Sequence, residues 1–305
     1  MQILSNNPLV SILINNYNYG RFLSEAIDSV LKQSYSNIEV IVVDDGSTDN
    51  SQEIIKSYGE QIVPILKQNG GQASAFNAGF AASRGEIICF LDSDDLWKTD
   101  KVAEVVKTFV EYPDIGWCFH SLEFLSTTPQ KIFQKAAKET SGKYDLSYHL
   151  KRGKLNKKIP EFNLATSGMC FNRSLLSKIL PMPEVIRITS DDYIKYIALG
   201  VSPGFILLED LALQRIHDNN AYTFRSDKQQ LRGKIHALTA YWMKINFATL
   251  SKFTNNLLSA GMSLYWSSGG IDPEGHKLIN SYLSSATLLE KLEIYTRAFY
   301  YRLKP

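Results

Sequence analysis

The sequence predicts an α/β protein in which a mixed sheet is flanked by helices and followed by a helical C-terminal region. Three short apolar runs have the composition of buried strands: residues 9–14, 38–43 and 86–91. Amphipathic helical patterns lie between them, and this alternation is typical of an open α/β sheet. After residue 228 the strand patterns fade and helical patterns take over, among them residues 250–266 and 279–289. We therefore expect an α/β domain over residues 1–225 and helices over residues 226–305.

The first predicted strand runs into a polar and aromatic loop. Its residues are Asn15, Asn16, Tyr17, Asn18, Tyr19 and Gly20. Side-chain amides can hydrogen-bond the edge of a base and a tyrosine ring can stack on it, so this loop favours a nucleobase over a bare phosphate. A turn stabilised by Asn side chains explains any single Asn here equally well.

The second predicted strand ends in a cluster of acidic and small residues. The cluster is Asp44, Asp45, Gly46, Ser47, Thr48 and Asp49. Gly46 suits a tight turn, and Ser47 or Thr48 can cap the helix that follows. One of the first two aspartates can serve this turn and cap. The other remains for a ligand, because open α/β sheets bind ligands at the carboxyl ends of their strands.

The third predicted strand ends in Asp92, Ser93, Asp94 and Asp95. Residues i and i+2 of an extended segment share a face, so Asp92 and Asp94 can direct oxygen ligands at one divalent cation. Such a cation can hold a diphosphate. A solvated acidic turn is the alternative for an isolated Asp-x-Asp, and the acidic cluster after the second strand makes the cation site the stronger interpretation.

These segments together resemble the N-terminal half of a family 2 glycosyltransferase. The resemblance rests on residues 10–17, residues 43–49, Asn77 with Gly79, and residues 85–95, which occur in this order. It is dense over roughly the first 115 residues and thinner up to about residue 225. It implies a Rossmann-like GT-A fold, a nucleotide-diphosphate sugar donor, a divalent metal (Mn²⁺ or Mg²⁺) and inversion at the anomeric carbon.

The resemblance also implies roles for single residues. Asn15, Tyr17 and Asp45 would hold the base, and Asp44 is a supporting candidate. Asp92 would contact the ribose or the metal, and Asp94 would ligate the metal. Further residues are assigned to the donor: Ser93, Lys67 and Gly168. Gly168 matches the place where the backbone of the family lines the sugar pocket, although a glycine there could equally mark a bulge.

An inverting transfer needs a base near the acceptor hydroxyl, so a carboxylate should recur downstream. Asp191 and Asp192 supply one at the start of a predicted helix. Asp192 aligns with the second residue of the Glu-Asp pair of the family and is the predicted base. Asp191 stands where the family usually has Glu, which leaves it as the alternative. Both could instead serve the cap and the positive end of the helix.

Arg215 and His217 resemble the Arg-x-His segment of the family, whose His often approaches the metal or the diphosphate. A neutral imidazole can add a nitrogen ligand to a cation held mainly by oxygen, and a charged one can pair with phosphate. We therefore predict His217 as a metal ligand beside Asp94 and Asp92. An ordinary surface His is the alternative.

Composition limits the classes of function. The chain has 305 residues, 44% of them hydrophobic, and a formal charge of +2, which argues against nucleic acid as the main partner. Cys89, Cys118 and Cys170 lie in or beside apolar segments without metal spacing, so reduced core thiols and a cytoplasmic protein are expected. No secretory signal is expected at residues 1–8, and no apolar run approaches the roughly 20 residues that span a bilayer.

The sequence thus predicts a metal-dependent inverting glycosyltransferase. It would transfer a sugar from a nucleotide donor, uridine-linked by preference, to a hydroxyl of a glycan or a lipid-linked glycan. A sugar-1-phosphate nucleotidyltransferase is the enzymatic alternative, but it would need a Gly-rich basic loop where residues 15–20 stand. A non-catalytic sugar-nucleotide binding module is the other alternative, and the acidic set argues against it.

The last predicted helix, residues 287–305, combines apolar and aromatic residues with Lys and Arg. This combination suits a helix at an anionic membrane surface, where a lipid-linked acceptor would be found, and it would place the protein at the cytoplasmic face. Packing against the catalytic domain or against a second subunit in a homo-oligomer is the alternative.

Overall fold

The computed structural model describes residues 4–126, 140–154, 160, 162–218, 220 and 225–303. The chain divides into two compact units, and the first consists of residues 1–145, 159–187 and 202–217. The second consists of residues 146–158, 188–201 and 218–305. Three segments that precede the predicted boundary at residue 225 therefore group with the C-terminal helices: residues 146–158, 188–201 and 218–225.

All strands of the described residues belong to the first unit. They are β1 (Val10–Asn16), β2 (Ile38–Asp44), β3 (Val63–Leu66), β4 (Ile87–Asp92), β5 (Leu96–Trp97), β6 (Trp117–Ser126), β7 (Gly142–Tyr144), β8 (Met169–Asn172) and β9 (Gly204–Ile216). Their order in the sheet is β3-β2-β1-β4-β8-β6-β9-β5, with β7 beside β9. The three runs predicted as buried strands correspond to β1, β2 and β4, so these predictions are confirmed to within two residues at each end.

The order of strands in the sheet reverses at β1, because β2 and β3 follow on one side of it and β4 lies on the other. Strand β1 pairs in parallel with β2 on one side and with β4 on the other, and β2 pairs in parallel with β3. Beyond β4 the sheet is mixed, because β8 runs antiparallel to both β4 and β6. In open α/β sheets the crevice at such a reversal is the usual place for a ligand.

Helices occur in both units. The first unit holds α1 (Gly20–Leu31), α2 (Ser51–Ser57), α3 (Gln72–Ala82), α4 (Lys101–Glu111) and α6 (Arg173–Leu176), and the second holds α5 (Ser147–Lys151), α7 (Asp191–Val201), α8 (Lys228–Asn246), α9 (Ser251–Ser267), α10 (Pro273–Ser284) and α11 (Leu288–Leu303). None of the described helices is long and apolar enough to cross a bilayer.

The central strands are apolar on both faces because helices cover both. Ile12 and Ile14 of β1 share one core cluster with Leu23 and Ile27 of α1. On the other face, Gly79 of α3 lies against the side chains of Val43 and Leu13. Burial on both faces explains the nearly continuous apolar runs in the sequence. The three cysteines are buried and unbridged, as predicted.

The C-terminal helices differ from the sequence prediction in one place. The sequence suggested one helical segment over residues 279–289, but α10 ends at Ser284 and α11 begins at Leu288. Thr287 and Glu290 form a reciprocal cap: the Thr287 N–H donates to the Glu290 carboxylate (2.9 Å), and the Glu290 N–H donates to the Thr287 hydroxyl (3.3 Å). This capping box starts a new helix and explains the break.

Candidate functional site

The ends of β1, β2 and β4 bring several of the predicted residues to one edge of the sheet. In the strand register Asn15 is opposite Asp92 of β4, and Asn16 is opposite Asp44 of β2. The backbone N–H of Ser93 donates to the carbonyl of Asn15 at 3.2 Å. The loops after these three strands therefore surround the reversal point of the sheet.

Three side chains at this edge carry buried polar atoms that have no hydrogen-bond partner among the described residues. These atoms are the side-chain nitrogen and oxygen of Asn15, the Oδ1 atom of Asn16 and the hydroxyl of Ser93. A buried polar group without a partner costs about 1–3 kcal/mol, so native proteins rarely leave several of them together. The amide and hydroxyl groups therefore mark a place where a polar ligand can bind.

Asp44 is buried, and its oxygens accept hydrogen bonds from the loops around it. Its Oδ1 atom accepts from the Asn16 amide at 2.8 Å, and its Oδ2 atom accepts from the Ser47 N–H at 3.1 Å and the Gln52 amide at 3.3 Å. Asp44 thus holds the turn after β2 and joins it to β1. This is the turn role that the sequence allowed for one of the two aspartates.

Asp45 organises the loop after β3. Its Oδ1 atom accepts from the Lys67 ammonium (2.7 Å) and the Gly70 N–H (2.9 Å), and its Oδ2 atom accepts from the Gly71 N–H (2.7 Å). Gly71 has a φ of 87°, a conformation that favours glycine. The predicted donor residues Asp45 and Lys67 are therefore neighbours joined by an ion pair.

Tyr17 lies in the loop after β1 and keeps an accessible ring, with 47% of its surface exposed. The loop around it is fixed, because the Asn18 N–H donates to the Ser47 hydroxyl (2.8 Å) and the Thr48 N–H donates to the Asn18 side chain (2.7 Å). Asn18 has a φ of 57°, which asparagine tolerates better than most residues. A fixed loop with an exposed ring can present that ring to a base.

The acidic turn after β4 is anchored by Asp95 and Ser167. The Ser167 hydroxyl donates to Asp95 (2.6 Å), and the same hydroxyl accepts from the N–H of Asp92 (3.1 Å). The Arg215 N–H also donates to Asp95 at 2.9 Å. Burial raises the pKa of Asp95 to about 8, and the negative charge of Asp94 adds to the increase. The hydrogen bonds of Asp95 therefore hold the turn in one conformation, and this conformation sets the positions of Asp92 and Asp94.

Arg21 determines which nitrogen of His217 carries a proton. The Arg21 guanidinium lies 3.2 Å from Nδ1 of His217, and a guanidinium has only donors, so Nδ1 accepts. The proton of the neutral imidazole is then on Nε2, which lies 3.1 Å from the Asp94 carboxylate and donates to it. In this arrangement His217 orients Asp94. Binding of a cation through Nε2 would require the proton to move to Nδ1 and Arg21 to leave.

Aromatic contacts hold the same group in place. The Phe22 ring lies 4.7 Å from the His217 ring, and the guanidinium groups of Arg21 and Arg215 lie 4.4 Å and 4.5 Å from the Phe22 ring. The ring of Tyr19 meets His217 edge-on at 5.4 Å. The Phe22 ring therefore contacts two guanidinium groups and one imidazole beside the acidic turn.

Asp94 and His217 could supply two neighbouring ligands of a hard divalent cation. Adjacent ligands of an octahedral site about 2.1 Å from the ion are about 3 Å apart. Asp94 Oδ2 and His217 Nε2 are separated by 3.1 Å, so they can occupy neighbouring positions. Within the described ranges, no group of three or more His, Cys, Asp or Glu is arranged to hold a metal ion. Sites that use one or two protein carboxylates together with substrate phosphates are usual for Mg²⁺.

Gly168 is buried against β6. A Cβ atom there would lie 2.6 Å from the carbonyl oxygen of His120 and 2.7 Å from the Leu122 side chain. The close approach of β6 therefore accounts for a glycine at this position without a ligand. The contact of Gly168 with a sugar stays a prediction.

Asp191 and Asp192 belong to the second unit, where they begin α7. Asp192 forms an ion pair with Lys195 one turn later. Burial raises the pKa of Asp191 to about 6, and the charge of Asp192 contributes. Burial opposes the charge of Lys195, but the negative charge of Asp192 outweighs it, so the pKa of Lys195 is raised.

Three residues of the site have no role in the sequence prediction: Arg21, Asp95 and Ser167. Their contacts join segments that are far apart in the sequence, so no local pattern indicates them. Asp95 is the third aspartate of the turn after β4, and only the structure shows that it is the one bonded to Ser167 and to the Arg215 N–H.

Comparisons with known proteins agree with this architecture. A model of the family described as glycosyl transferase family 2 matches residues 11–180. The chain belongs to glycosyl transferase family 2. An uncharacterized glycosyltransferase of Nostoc sp. is 41% identical over 217 residues, which are 69% of this chain and 66% of that protein. One from Rickettsia typhi is 33% identical over 225 residues, or 70% of this chain and 65% of that protein. The matched region thus spans slightly less than two thirds of both relatives.

Solved structures share the fold of this family 2 chain. S. aureus TarS 1-349 in complex with UDP has a TM-score of 0.60 at 18% identity, covering 93% of this chain and 77% of that one. The mannosyltransferase PcManGT from Pyrobaculum calidifontis, in complex with GDP-Man and Mn²⁺, has a TM-score of 0.52 at 19% identity, covering 97% and 85%. The predicted GT-A fold, a mixed sheet flanked by helices with a helical C-terminal region, is confirmed.

Proposed function

We propose that this chain is an inverting glycosyltransferase that transfers a sugar from a nucleotide-diphosphate donor, uridine-linked by preference, to a hydroxyl of a glycan or a lipid-linked glycan. The observation that carries the proposal is the set of unpartnered buried polar atoms of Asn15, Asn16 and Ser93 beside the acidic turn of Asp92 and Asp94. Amide and hydroxyl groups next to carboxylates suit a base, a ribose and a metal-bound diphosphate.

In this proposal the loops after β1 and β2 bind the base. The Asn15 amide donates to and accepts from the base edge, and Tyr17 stacks on its face. Asp45 holds the loop of Gly70 and Gly71 in place. Lys67, now paired with Asp45, is close enough to that loop to contribute a positive charge to the donor. Asp44 supports the turn, and Ser93 contacts the ribose.

The metal, Mn²⁺ or Mg²⁺, would be held by Asp94 with Asp92 and His217. A bound cation supplies Lewis-acid stabilisation of the negative charge that develops on the leaving diphosphate. Asp95 and Ser167 keep the turn in one conformation. His217 orients the Asp94 carboxylate through Nε2 and would give up this hydrogen bond to ligate the ion. The chain thus contributes a fixed carboxylate whose position does not depend on a flexible loop.

The acceptor is activated by a carboxylate, for which we propose Asp192 with Asp191 as the alternative. Asp192 takes the proton of the acceptor hydroxyl while the hydroxyl oxygen forms a bond to the anomeric carbon. The bond between that carbon and the diphosphate oxygen breaks, and its electron pair remains on the diphosphate. Attack from the face opposite the leaving group inverts the anomeric carbon. The Lys195 ion pair holds the Asp192 carboxylate in place.

A nucleotide-sugar screen tests this function. Thermal stability is measured with uridine- and guanosine-linked sugars, each with and without Mn²⁺, and transfer is measured as nucleoside diphosphate release with glycan acceptors. We expect one donor to raise Tm only when the ion is present and to be consumed with an acceptor. Release of pyrophosphate from a nucleoside triphosphate and a sugar phosphate would instead identify a nucleotidyltransferase. Donor binding without turnover by any acceptor would favour a binding module.

A further inference from the structure

Helix α11 has two separate apolar faces. One face packs within the second unit, where Ile294 and Ala298 are buried and the Ser259 hydroxyl of α9 donates to the Ile294 carbonyl at 3.1 Å. The second face is a stripe of large side chains spaced four, three, four and four residues apart. The stripe consists of Leu288, Leu292, Tyr295, Phe299 and Leu303, which are between 46% and 83% exposed. This spacing places all five on one side of the helix.

The stripe is unlike the rest of the described surface. Leu289 and Tyr300 extend its edge, and both are more than half exposed. Large exposed apolar side chains elsewhere in the described residues occur singly along the sequence, such as Val110, Tyr148 and Val185, or as the pair Val63 and Leu66. Single exposed apolar residues are normal on soluble proteins, whereas a large contiguous patch marks an interaction surface.

The charges beside the stripe are positive. Lys291 and Arg302 border the same edge of it, and neither forms an ion pair with any residue that the structure describes. The two acidic residues of the helix are already engaged. Glu293 pairs with Arg297 at 2.7 Å, and Glu290 accepts from Thr287. A partner of the stripe therefore meets apolar side chains flanked by uncompensated positive charge.

We propose that the stripe of α11 docks on an anionic lipid surface. The leucines and Phe299 enter the boundary between headgroups and acyl chains, and Tyr295 and Tyr300 lie at the headgroup level, which aromatic side chains prefer. Lys291 and Arg302 face the lipid phosphates. The proposal is independent of the transfer reaction, because it rests on this helix alone.

A second copy of the chain fits the stripe less well. In a symmetric dimer the same face meets itself, so Lys291 and Arg302 of both copies would border one interface without an acidic partner at that edge. Tyr and Phe also replace the β-branched and Leu side chains that favour packing between paired helices. An anionic membrane supplies the missing negative charge.

Vesicle flotation tests the proposal. The protein is mixed with phosphatidylcholine vesicles that contain or lack phosphatidylglycerol, at low and high salt. We expect flotation only with the anionic lipid and only at low salt. The double variant Lys291→Gln/Arg302→Gln should lower the partition coefficient by about 30-fold, since each cation near an anionic surface contributes about 1 kcal/mol. Leu292→Ser/Phe299→Ser should lower it at least about tenfold, because the apolar contact is lost.

Matched controls separate this result from general stickiness and from dimerisation. Val110→Ser/Tyr148→Ser removes exposed apolar side chains from other helices and should leave flotation unchanged. The altered side chains are exposed except Lys291, which is half-buried, and circular dichroism with thermal melting checks that all three variants are folded. Equal binding to neutral and anionic vesicles, or no binding by the parent protein, overturns the proposal. The proposal is also overturned if light scattering gives a mass of two chains for the parent protein and of one chain for Leu292→Ser/Phe299→Ser, because the stripe would then form a dimer.

Discussion

The turns after β2 and β4 look alike in the sequence and differ in the structure. Each follows a buried strand and begins with aspartates. After β2, the carboxylates of Asp44 and Asp45 accept hydrogen bonds from loop donors and from Lys67. After β4, Asp95 anchors the turn while Ser93 keeps a buried hydroxyl without a described partner and Asp94 faces His217. The aspartates of the first turn are engaged in hydrogen bonds within the protein, whereas we propose that Asp92 and Asp94 of the second turn bind the metal.

The largest expected difference between the two turns is in turnover. Asp94→Asn removes the charge that would hold the cation, so we expect kcat/KM to fall by about 10²–10³-fold or more. Its Tm should stay within a few degrees of the parent, because Asp94 is not an anchor of the turn. Asp44→Asn is the matched control.

In the Asp44→Asn variant, one of the buried acceptor oxygens becomes a donor group that faces the N–H of Ser47 or the amide of Asn16. We expect a loss of about 1–3 kcal/mol in the free energy of unfolding. Urea denaturation of both variants measures this difference. If Asp94→Asn were the more destabilised and Asp44→Asn the less active, the assignment of the two turns would be reversed.

Asp45 tests whether an architectural carboxylate also serves the donor. Asp45→Ala releases Lys67 and the N–H groups of Gly70 and Gly71, so we expect nucleotide affinity to fall by about tenfold or more through loss of the ordered loop. Lys67→Met removes the ion pair but keeps both backbone hydrogen bonds, and its loss should be smaller. Calorimetric titration with a nucleoside diphosphate measures both. Equal losses would mean that the charge of Lys67, and not the loop, carries the effect.

Two serines beside the second turn give a finer contrast. Ser93→Ala removes a buried hydroxyl that has no described partner, so the ligand-free protein should keep or slightly raise its Tm. Ser167→Ala removes the hydroxyl that donates to Asp95 and accepts from the Asp92 N–H, and this loss should cost about 1–3 kcal/mol. Differential scanning calorimetry, with and without nucleotide, compares them. Only the stabilisation by nucleotide should weaken in Ser93→Ala, and a large drop in its ligand-free Tm would show that the hydroxyl is structural.

The last contrast is pH-dependent and concerns Asp191, a third acidic site. Burial raises its pKa to about 6 in the folded protein, above the value of about 3.9 in an unfolded chain. The folded state therefore binds the Asp191 proton more tightly than the unfolded chain does. The contribution of Asp191 to the free energy of unfolding falls as pH rises from about 4 to 6. Asp191→Asn lacks the titration, so its Tm relative to the parent should increase over this range and stay constant above it. A pH-independent difference would contradict the burial of the charge.

The same variant helps to assign the base. If Asp192 is the base, Asp191→Asn retains turnover and Asp192→Asn loses it. If Asp191 is the base, activity disappears in Asp191→Asn, and kcat/KM of the parent protein falls as pH is lowered through about 6.

Local patterns predicted the strands and the acidic turns, because burial on two faces and the polar ends of strands leave a mark within a few residues. They could not divide the aspartates by role. Asp95 is bonded to Ser167 and Arg215, and His217 contacts Arg21 and Asp94. These residues are far apart in the sequence and are brought close only by the assembled sheet. The break between α10 and α11 was readable in principle from Thr287 and Glu290, but the apolar periodicity across residues 279–289 obscured it.

The most direct test of the central claim is a manganese anomalous-difference map from crystals grown with uridine diphosphate and Mn²⁺. The account predicts one strong peak beside the Asp94 carboxylate and the diphosphate, with the base next to Asn15 and Tyr17. A nucleotide bound elsewhere, or bound at the ends of β1 and β4 with no ion at Asp94, would contradict it.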